Sequence, residues 1–338
     1  MTQGPIKVGL IGAGSIAGVH VDGYLANPGI TRLVAVADVV PEHARRRAEP
    51  AGAQVYTDYR EMLARADIDA VDICLPHHLH REAIVAAAEA GKHILCEKPL
   101  CLSHEEAQAV TEAVERAGVT LMCAHNQLFS APVAKARELL DSGLLGTVYE
   151  VRTTDSFYND FDPANMGWRA TAETSGGGEL IDTGYHPSYL LMHLAAAEPV
   201  EVVAMLSTHR LTFMEGEDSA QVLVRFANGV VGTITTSWAY TPTATTERFS
   251  VVGAKGSLHS DGSTLWYRLR GGEDGAFEFG PSDEYGGEIR HFAESLLAGT
   301  PPLHGHVEGI AVLGIILAAY ESARTRAIAP VTALLPTP

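Results

Sequence analysis

The chain has 338 residues, of which 46% are hydrophobic and 19% are charged. This length and composition suffice to bury one large core or two ordinary ones, which argues against intrinsic disorder. The net charge of -17 makes nucleic acids and anionic membranes poor partners, because both are themselves negatively charged.

The ends of the chain carry no obvious targeting or membrane pattern. Lys7 lies inside the first apolar run and a glycine-rich turn follows at once, unlike a signal peptide. The apolar stretch 307–323 contains Glu308 and Glu321 and predicts a buried helix. We therefore expect a cytoplasmic protein. The cysteines have no C-x-x-C spacing and are expected to be free core thiols: Cys74, Cys96, Cys101 and Cys123.

Up to residue 125, short apolar runs alternate with longer alanine-rich segments, a rhythm typical of parallel strands joined by helices. The predicted strands are 6–11, 33–37, 54–56, 71–75, 93–96 and 120–123. The predicted helices include 81–90 and 105–117, the latter opened by Ser103 and Glu106 as a capping box. This pattern predicts a doubly wound parallel sheet in a Rossmann domain, residues 1–125.

After a helix at 132–141, the pattern changes to longer strands with polar alternation. The predicted strands are 147–155, 201–208, 221–227, 230–238, 247–252 and 263–269, and two helices follow at 288–298 and 307–325. Asn228-Gly229 favours a type I′ hairpin turn. We predict an α/β domain over 126–338 with a large, mostly antiparallel open sheet.

The first strand runs into Gly12-Ala13-Gly14-Ser15-Ile16-Ala17, a G-x-G-x-x-A turn that opens a helix. In this position the pattern predicts a dinucleotide site, with the pyrophosphate at the helix N-terminus. Asp38 ends the second strand and can accept hydrogen bonds from the adenosine ribose, which favours NAD over NADP, although an ordinary turn aspartate is the alternative. Residues 45–47 are all arginine and are expected on a solvated helix face.

Two polar segments suggest chemistry. Lys98 follows the fifth strand, where it is either a ligand-facing group or a strand-end charge. Asp182 and His186 follow three glycines in a segment that looks helical, so the carboxylate can orient the imidazole of a general base. The alternatives are a metal pair, which lacks an obvious third ligand, or a structural helix-start hydrogen bond. We predict no metal site.

Five segments in this order resemble the Gfo/Idh/MocA oxidoreductases: residues 12–17, 76–80, Glu97-Lys98-Pro99, Trp168-Arg169 and 176–186. The resemblance implies NAD(P)-dependent chemistry on sugars or cyclitols, and a C-terminal sheet that joins subunits into a homodimer or homotetramer. It also implies that Lys98, Asp182 and His186 form the catalytic set. We expect the cofactor to contact Gly12, Gly14, Ser15, Ile16, Asp38, Pro76, His80, Glu97, Lys98, Asn126, Trp168 and Arg169.

The favoured reaction is hydride transfer between the nicotinamide of NAD and a hydroxyl-bearing carbon. The sequence leaves open whether Lys98 or His186 accepts the proton, and what His77, His78 and Gln127 do. Two other functions stay possible at this point. One is glycoside cleavage or isomerisation with transient use of tightly bound NAD, and the other is a non-catalytic sugar or dinucleotide sensor.

Overall fold

The structure, a computed structural model, describes residues 4–243 and 246–332. The chain divides into two compact units. The first contains the residues up to Asn126 together with Asp283–Ile310, and the second contains Gln127–Ser282 and the residues from Ala311 onward.

The described strands and helices are as follows. The strands are β1 Ile6–Ile11, β2 Thr31–Ala37, β3 Gln54–Tyr56, β4 Ala70–Ile73, β5 His93–Cys96, β6 Leu121–Cys123, β7 Val148–Ser156, β8 Pro199–Ser207, β9 Ser219–Phe226, β10 Val231–Ser237, β11 Phe249–Gly253, β12 Gly256–Ser260, β13 Thr264–Leu269, β14 Gly275–Glu278 and β15 Ala329–Pro330. The α-helices are α1 Ala17–Ala26, α2 Pro41–Ala48, α3 Tyr59–Leu63, α4 His80–Glu89, α5 His104–Ala117, α6 Ala131–Asp141, α7 Ala172–Ser175, α8 Glu179–Asp182, α9 Tyr185–Ala195, α10 Glu284–Ala298 and α11 His306–Thr325.

The first unit is built on a six-stranded sheet in the order β3-β2-β1-β4-β5-β6, with every pair parallel. Its central strands are largely apolar because helices cover both faces, and all four residues of β4 are buried, including the polar Asp72. The predicted Rossmann sheet and its six strands are confirmed. Ser103 caps α5 as expected, accepting the Glu106 N–H at 3.2 Å.

The second unit is built on a nine-stranded sheet in the order β14-β13-β12-β11-β7-β10-β9-β8-β15. Only β7 and β10 pair in parallel, so the predicted mostly antiparallel sheet is confirmed. The sequence pattern missed β12, β14 and β15. These strands are short, and glycine and serine in β12 hide the alternation that marks a strand.

The turn between β9 and β10 is not the type I′ turn that the sequence predicted. A type I′ turn needs a positive φ at both central residues, but only Gly229 has one, at 87°. The Gly229 N–H donates to the Phe226 carbonyl and the Phe226 N–H donates to the Val230 carbonyl, both at 2.9 Å. This is a three-residue loop with a glycine bulge. The side chain of Asn228 accepts the Val230 N–H at 3.1 Å and donates to the Ala195 carbonyl at 3.0 Å.

The segment Asp283–Ile310 belongs to the first unit, whereas the change of pattern near residue 125 assigned everything after it to the second domain. The cause is close packing between α1 and α10. A Cβ added to Gly23 would lie 2.5 Å from Cδ1 of Ile289, so the two helices approach at a glycine. The Asn27 amide adds a 3.0 Å hydrogen bond to the Gly286 carbonyl.

The helix α11 is long and apolar enough to cross a membrane by length and composition alone. Its side chains at Val312, Leu313 and Ile316 are buried in the protein, as expected for a core helix. The four cysteines are also buried and free, as predicted from their spacing.

Candidate functional site

The glycine-rich turn after β1 fits the pyrophosphate of a dinucleotide. Gly12 has a φ of 91°, and a Cβ there would lie 2.5 Å from the Cys74 carbonyl oxygen, so only glycine is tolerated. Gly14 is exposed, and a Cβ there would meet no described atom within 4 Å. Exposed Ser15 and half-buried Ile16 lead into α1, whose N-terminus has no side-chain cap. No side chain therefore competes with an anion at the start of this helix.

Asp38 lies at the end of β2, beside this turn. Its Oδ2 accepts the Ala13 N–H at 2.7 Å and its Oδ1 accepts the Val40 N–H at 2.8 Å, which fixes the carboxylate at the position expected to face the adenosine ribose. Arg47 differs from the expectation that residues 45–47 lie on a solvated helix face, because its guanidinium donates to the Gly14 carbonyl at 2.9 Å. Arg45 instead forms an exposed pair with Glu42.

Pro76 and His80 follow β4. His80 is completely buried, with Nδ1 2.6 Å from the Pro99 carbonyl oxygen and Nε2 2.8 Å from the Leu75 carbonyl oxygen. Burial lowers the pKa of His80, although both carbonyls favour the protonated ring. The ring thus ties the end of β4 to the Glu97-Lys98-Pro99 segment. His77 is buried with its ring centroid 6.0 Å from that of His80, and His78 is half-buried.

The Glu97-Lys98-Pro99 segment follows β5. Glu97 is buried, and its Oε2 accepts the Lys98 N–H at 3.1 Å while Oε1 lies 3.1 Å from Nε2 of His20. Lys98 is half-buried at the carboxyl edge of the sheet. After β6, buried Asn126 donates to Oε2 of Glu284 at 3.1 Å.

The glycine-rich segment 176–186 lies in the second unit. The predicted helical segment is present, but it is divided into α8 and α9 by a break at Thr183 and Gly184. A Cβ added to Gly184 would lie 2.7 Å from Cα and the carbonyl oxygen of Leu180, so the main chain folds back on itself there. Asp182 ends one helix and His186 begins the next. The two residues are therefore not one turn apart on a single helix, as the sequence had predicted.

Asp182 is buried and paired with Arg169. The Arg169 Nε is 2.5 Å from Oδ2 of Asp182, and its guanidinium lies 4.2 Å from the ring centroid of Trp168. Trp168 and Arg169, both predicted to contact the cofactor, are thus joined to a predicted catalytic carboxylate.

His186 is connected to Gln127, whose role the sequence left open, and to Tyr189 and Asp155, which sequence reasoning did not identify. Its Nδ1 is 2.8 Å from the hydroxyl of Tyr189, which also accepts the Gln127 N–H at 3.1 Å. The Gln127 amide in turn donates to Oδ2 of Asp155 at 3.2 Å. The spacing of three residues between His186 and Tyr189 was the available signal, since such residues share a helix face.

Glu179 is a fully buried acid at the start of α8. Thr236 Oγ1 lies 2.8 Å from the Asp155 carbonyl oxygen and is also hydrogen-bonded to Oε1 of Glu179. A threonine has one hydroxyl hydrogen, which these two acceptors share, so the hydroxyl compensates the buried Glu179 carboxyl group only in part. Burial, reinforced by the charge of nearby Glu217, raises the pKa of Glu179 well above its ordinary value.

We predict that Glu179→Gln stabilises the protein more as the pH rises. In the unfolded chain Glu179 ionises near its ordinary pKa, whereas the folded protein keeps it protonated to higher pH. Rising pH therefore favours the unfolded state of the wild type through this residue, and glutamine removes that effect. The gain in melting temperature over the wild type should be larger at pH 8 than at pH 5 by about 2 °C or more, as roughly 1 kcal/mol would produce.

Exposed Glu173→Gln is the matched control and should change the melting temperature equally at both pH values. A pH-independent effect of Glu179→Gln would mean that Glu179 is ionised in the folded protein.

Two family models match the chain. Residues 6–125 match the oxidoreductase family with an NAD-binding Rossmann fold, and residues 133–259 match the GFO/IDH/MocA C-terminal domain. These matches bear out the predicted Rossmann domain, its NAD cofactor and the oxidoreductase class.

Similar proteins include dehydrogenases of sugars and cyclitols. The inositol 2-dehydrogenase of Rhizobium meliloti is 33% identical over 76% of each chain. The D-glucoside 3-dehydrogenase of Escherichia coli is 30% identical over 71% of this chain and 72% of its own. A solved levoglucosan dehydrogenase in complex with NADH and levoglucosan has a TM-score of 0.88 and 27% identity, covering 97% of this chain and 99% of that one. The chain therefore belongs to the Gfo/Idh/MocA family of oxidoreductases.

Proposed function

We propose that this protein is an NAD-dependent dehydrogenase that oxidises a hydroxyl-bearing carbon of a sugar, sugar derivative or cyclitol. The observation that carries the proposal is the position of Lys98, at the carboxyl end of β5 and on the same sheet edge as the glycine-rich turn after β1. Parallel strands bring these two segments to the edge where doubly wound sheets bind their ligands. The substrates named for the related dehydrogenases support the substrate class.

When bound, NAD supplies the hydride acceptor for the reacting carbon. His186 takes the hydroxyl proton, and the Tyr189 hydroxyl at Nδ1 holds the imidazole in place. We assign to Asp182, whose buried carboxylate is paired with Arg169, the role of stabilising the imidazolium that results. Lys98 donates a hydrogen bond to the substrate oxygen and stabilises its developing negative charge.

The direct test is to mix the protein and NAD with a panel of inositols, aldoses and glycosides and to follow NADH absorbance. A dehydrogenase accumulates NADH. Turnover of a glycoside with retained NAD and no NADH accumulation would favour the alternative in which NAD is used transiently. Sugar binding without turnover of any compound would favour a sensor.

We predict that Lys98→Ala and His186→Ala each lower turnover by roughly a hundredfold or more while NAD binding is largely kept, the usual scale for a positioned acid or base. Asp182→Ala should be milder, because water partly replaces an orienting carboxylate. The losses in the Lys98→Ala, His186→Ala double variant should be smaller than the product of the single losses, since both groups serve one transition state. Steady-state kinetics and NAD titration measure these effects.

Lys135→Ala is the control, because Lys135 forms a salt bridge on α6 with Glu138 at 2.6 Å and should not affect turnover. Near-wild-type turnover of folded Lys98→Ala would identify Lys98 as a strand-end charge and refute the proposed set.

We predict that the enzyme prefers NAD over NADP because the carboxylate of Asp38 repels a 2′-phosphate. Asp38→Asn keeps a side-chain acceptor for the Ala13 N–H but removes the charge. The ratio of kcat/KM for NAD to that for NADP should fall by about tenfold, the equivalent of 1.4 kcal/mol. Wild-type use of NADP at least as efficiently as NAD would contradict the prediction.

We further propose that the nine-stranded sheet joins two copies of the chain through the face opposite α9. α9 approaches the other face closely, since a Cβ on Gly232 would meet Cδ2 of Leu191 at 2.7 Å. The outward face exposes 38% of Val203, 75% of Met205 and 49% of Leu223 on adjacent strands. Its charges are largely paired with one another, as in Arg225 with Glu201 and Arg152 with Glu150. Local pairing limits repulsion between two acidic chains.

Leu223→Arg should therefore convert a dimer or tetramer into smaller species in light scattering at micromolar concentration. Leu25→Arg is the matched control, since Leu25 is 43% exposed on α1 in the first unit. A monomeric wild type would contradict the proposed assembly.

A further inference from the structure

His20, Asp72 and Glu97 form a buried line of hydrogen bonds in the first unit. His20 lies on α1, Asp72 on β4 and Glu97 directly after the neighbouring strand β5. The Nδ1 of His20 is 2.8 Å from Oδ2 of Asp72, and its Nε2 is 3.1 Å from Oε1 of Glu97. His20 and Asp72 are completely inaccessible to solvent, and Glu97 is buried. One imidazole thus bridges two carboxyl groups.

Both ring nitrogens face carboxylate oxygens, and an ionised carboxylate can only accept hydrogen bonds. The ring therefore satisfies both partners only when it is protonated on both nitrogens. Burial by itself would lower the pKa of His20, but the charge and hydrogen bond of Asp72 help to raise it well above its ordinary value. Other titratable groups around the line include Tyr24, Cys74, Cys96, Cys123, His80, Tyr285 and Glu288.

These neighbours support the charged arrangement. The Tyr24 hydroxyl donates to Oδ2 of Asp72 at 2.9 Å, so this carboxylate has two donors. Burial is the main cause that raises the pKa of Cys74 to about 12, so its thiol is neutral. Burial also raises the pKa of Glu288 well above its ordinary value. This shift reduces the negative charge that Glu288 adds near the imidazolium.

Glu97 uses its two oxygens for different partners. Oε1 faces His20, and Oε2 accepts the N–H of Lys98 at 3.1 Å. The orientation of the carboxylate therefore connects the imidazole to the main chain of Lys98. On the far side of Lys98, the Pro99 carbonyl oxygen is 2.6 Å from Nδ1 of His80.

We propose that His20 is a positioning residue for Lys98, acting through the contact of its Nε2 with Glu97. The imidazolium fixes the Glu97 carboxylate, and this carboxylate fixes the Lys98 peptide from which the lysine side chain reaches the substrate. The inference rests on the proposed function, in which Lys98 contacts the substrate oxygen. An error of about 1 Å in the placement of such a group can cost about a hundredfold in rate.

The same location invites comparison with a metal site, because ligand atoms of His20, Asp72 and Cys74 lie within 4.8 Å of one another. Two ligands of a tetrahedral zinc ion, each about 2.0–2.2 Å from the metal, would be about 3.3 Å apart. The 2.8 Å between His20 and Asp72 is instead a hydrogen-bond distance. Together with the neutral thiol, this favours the hydrogen-bonded arrangement.

The experiment compares His20→Gln with His20→Asn. A glutamine amide reaches the position of Nε2 and can still donate to Glu97, whereas an asparagine amide reaches only the position of Nδ1 and can donate to Asp72. Turnover, NAD affinity by titration and melting temperature are measured for both variants and for Lys98→Ala.

The proposal predicts that His20→Asn lowers kcat by about tenfold or more, and that His20→Gln stays within about threefold of the wild type. NAD affinity should change by less than about twofold in both, because the dinucleotide-binding turn keeps its own contacts. Tyr24→Phe removes a donor to Asp72 but leaves the contact of His20 with Glu97. It should keep wild-type kcat even where the melting temperature falls.

His93→Gln is the matched control, because His93 lies at the opposite end of β5, half-buried, and accepts the Thr120 N–H at 3.0 Å. It should leave kcat unchanged. If His20 had a purely structural role, kcat would fall in proportion to the loss of stability. The proposal is therefore overturned if the two His20 variants lose equal amounts of kcat, or if His20→Gln loses more kcat than His20→Asn. A loss of kcat in Tyr24→Phe that matches its loss of stability would also overturn it.

A stoichiometric amount of metal in the purified protein, measured by elemental analysis, would overturn the proposal and favour a metal site at His20, Asp72 and Cys74. Wild-type turnover of Lys98→Ala would refute the proposed function itself. Impaired Lys98→Ala together with unimpaired His20→Asn would refute only the positioning role of His20.

Discussion

Parallel pairing in the first unit brings the carboxyl ends of its strands to one edge of the sheet. β1 lies between β2 and β4, and β5 follows β4, so Gly12, Asp38, Pro76 and Lys98 all lie at or shortly after the ends of neighbouring strands at that edge. Each position supplies a different property: a tight turn, a fixed carboxylate, a rigid loop and a cation. Because the strands are buried on both faces, their register cannot slip without exposing apolar residues. The site thus depends on the packing of the sheet.

Buried carboxyl groups recur in both units and are treated in two ways. Where cationic donors are close, as for Asp72 with His20 and Asp182 with Arg169, the carboxyl group is hydrogen-bonded to them. Where the described contacts include no such cation, as for Glu179 and Glu288, burial raises the pKa of the acid well above its ordinary value. A buried unpaired charge would be costly in either unit. The interior therefore keeps few uncompensated charges although the chain as a whole is strongly acidic.

The sequence predicted the features that depend on local patterns. Continuous apolar runs identified β1 to β6, and the glycine-rich turn identified the dinucleotide site because its context was a strand followed by a helix. The features that the sequence did not predict correctly depend on contacts between residues that are distant in sequence. The turn at Gly229 differs because Asn228 bonds to its surroundings, and the break at Gly184 reflects the main chain of Leu180. The raised pKa of Glu179 comes from its burial in the folded chain and from Glu217, more than thirty residues away in sequence, which no local pattern reveals.

The membership of α10 in the first unit has a consequence for the order of folding. The ribosome completes β1 to β6 early, but the helix that packs on α1, and the Tyr285 ring that lies against His20, emerge only after residues 127–282 have been made. Domains generally fold as units during synthesis. Here the first unit cannot finish before the whole nine-stranded sheet, apart from β15, has left the ribosome. The side of α1 that α10 covers in the folded protein therefore stays uncovered on the nascent chain throughout that interval.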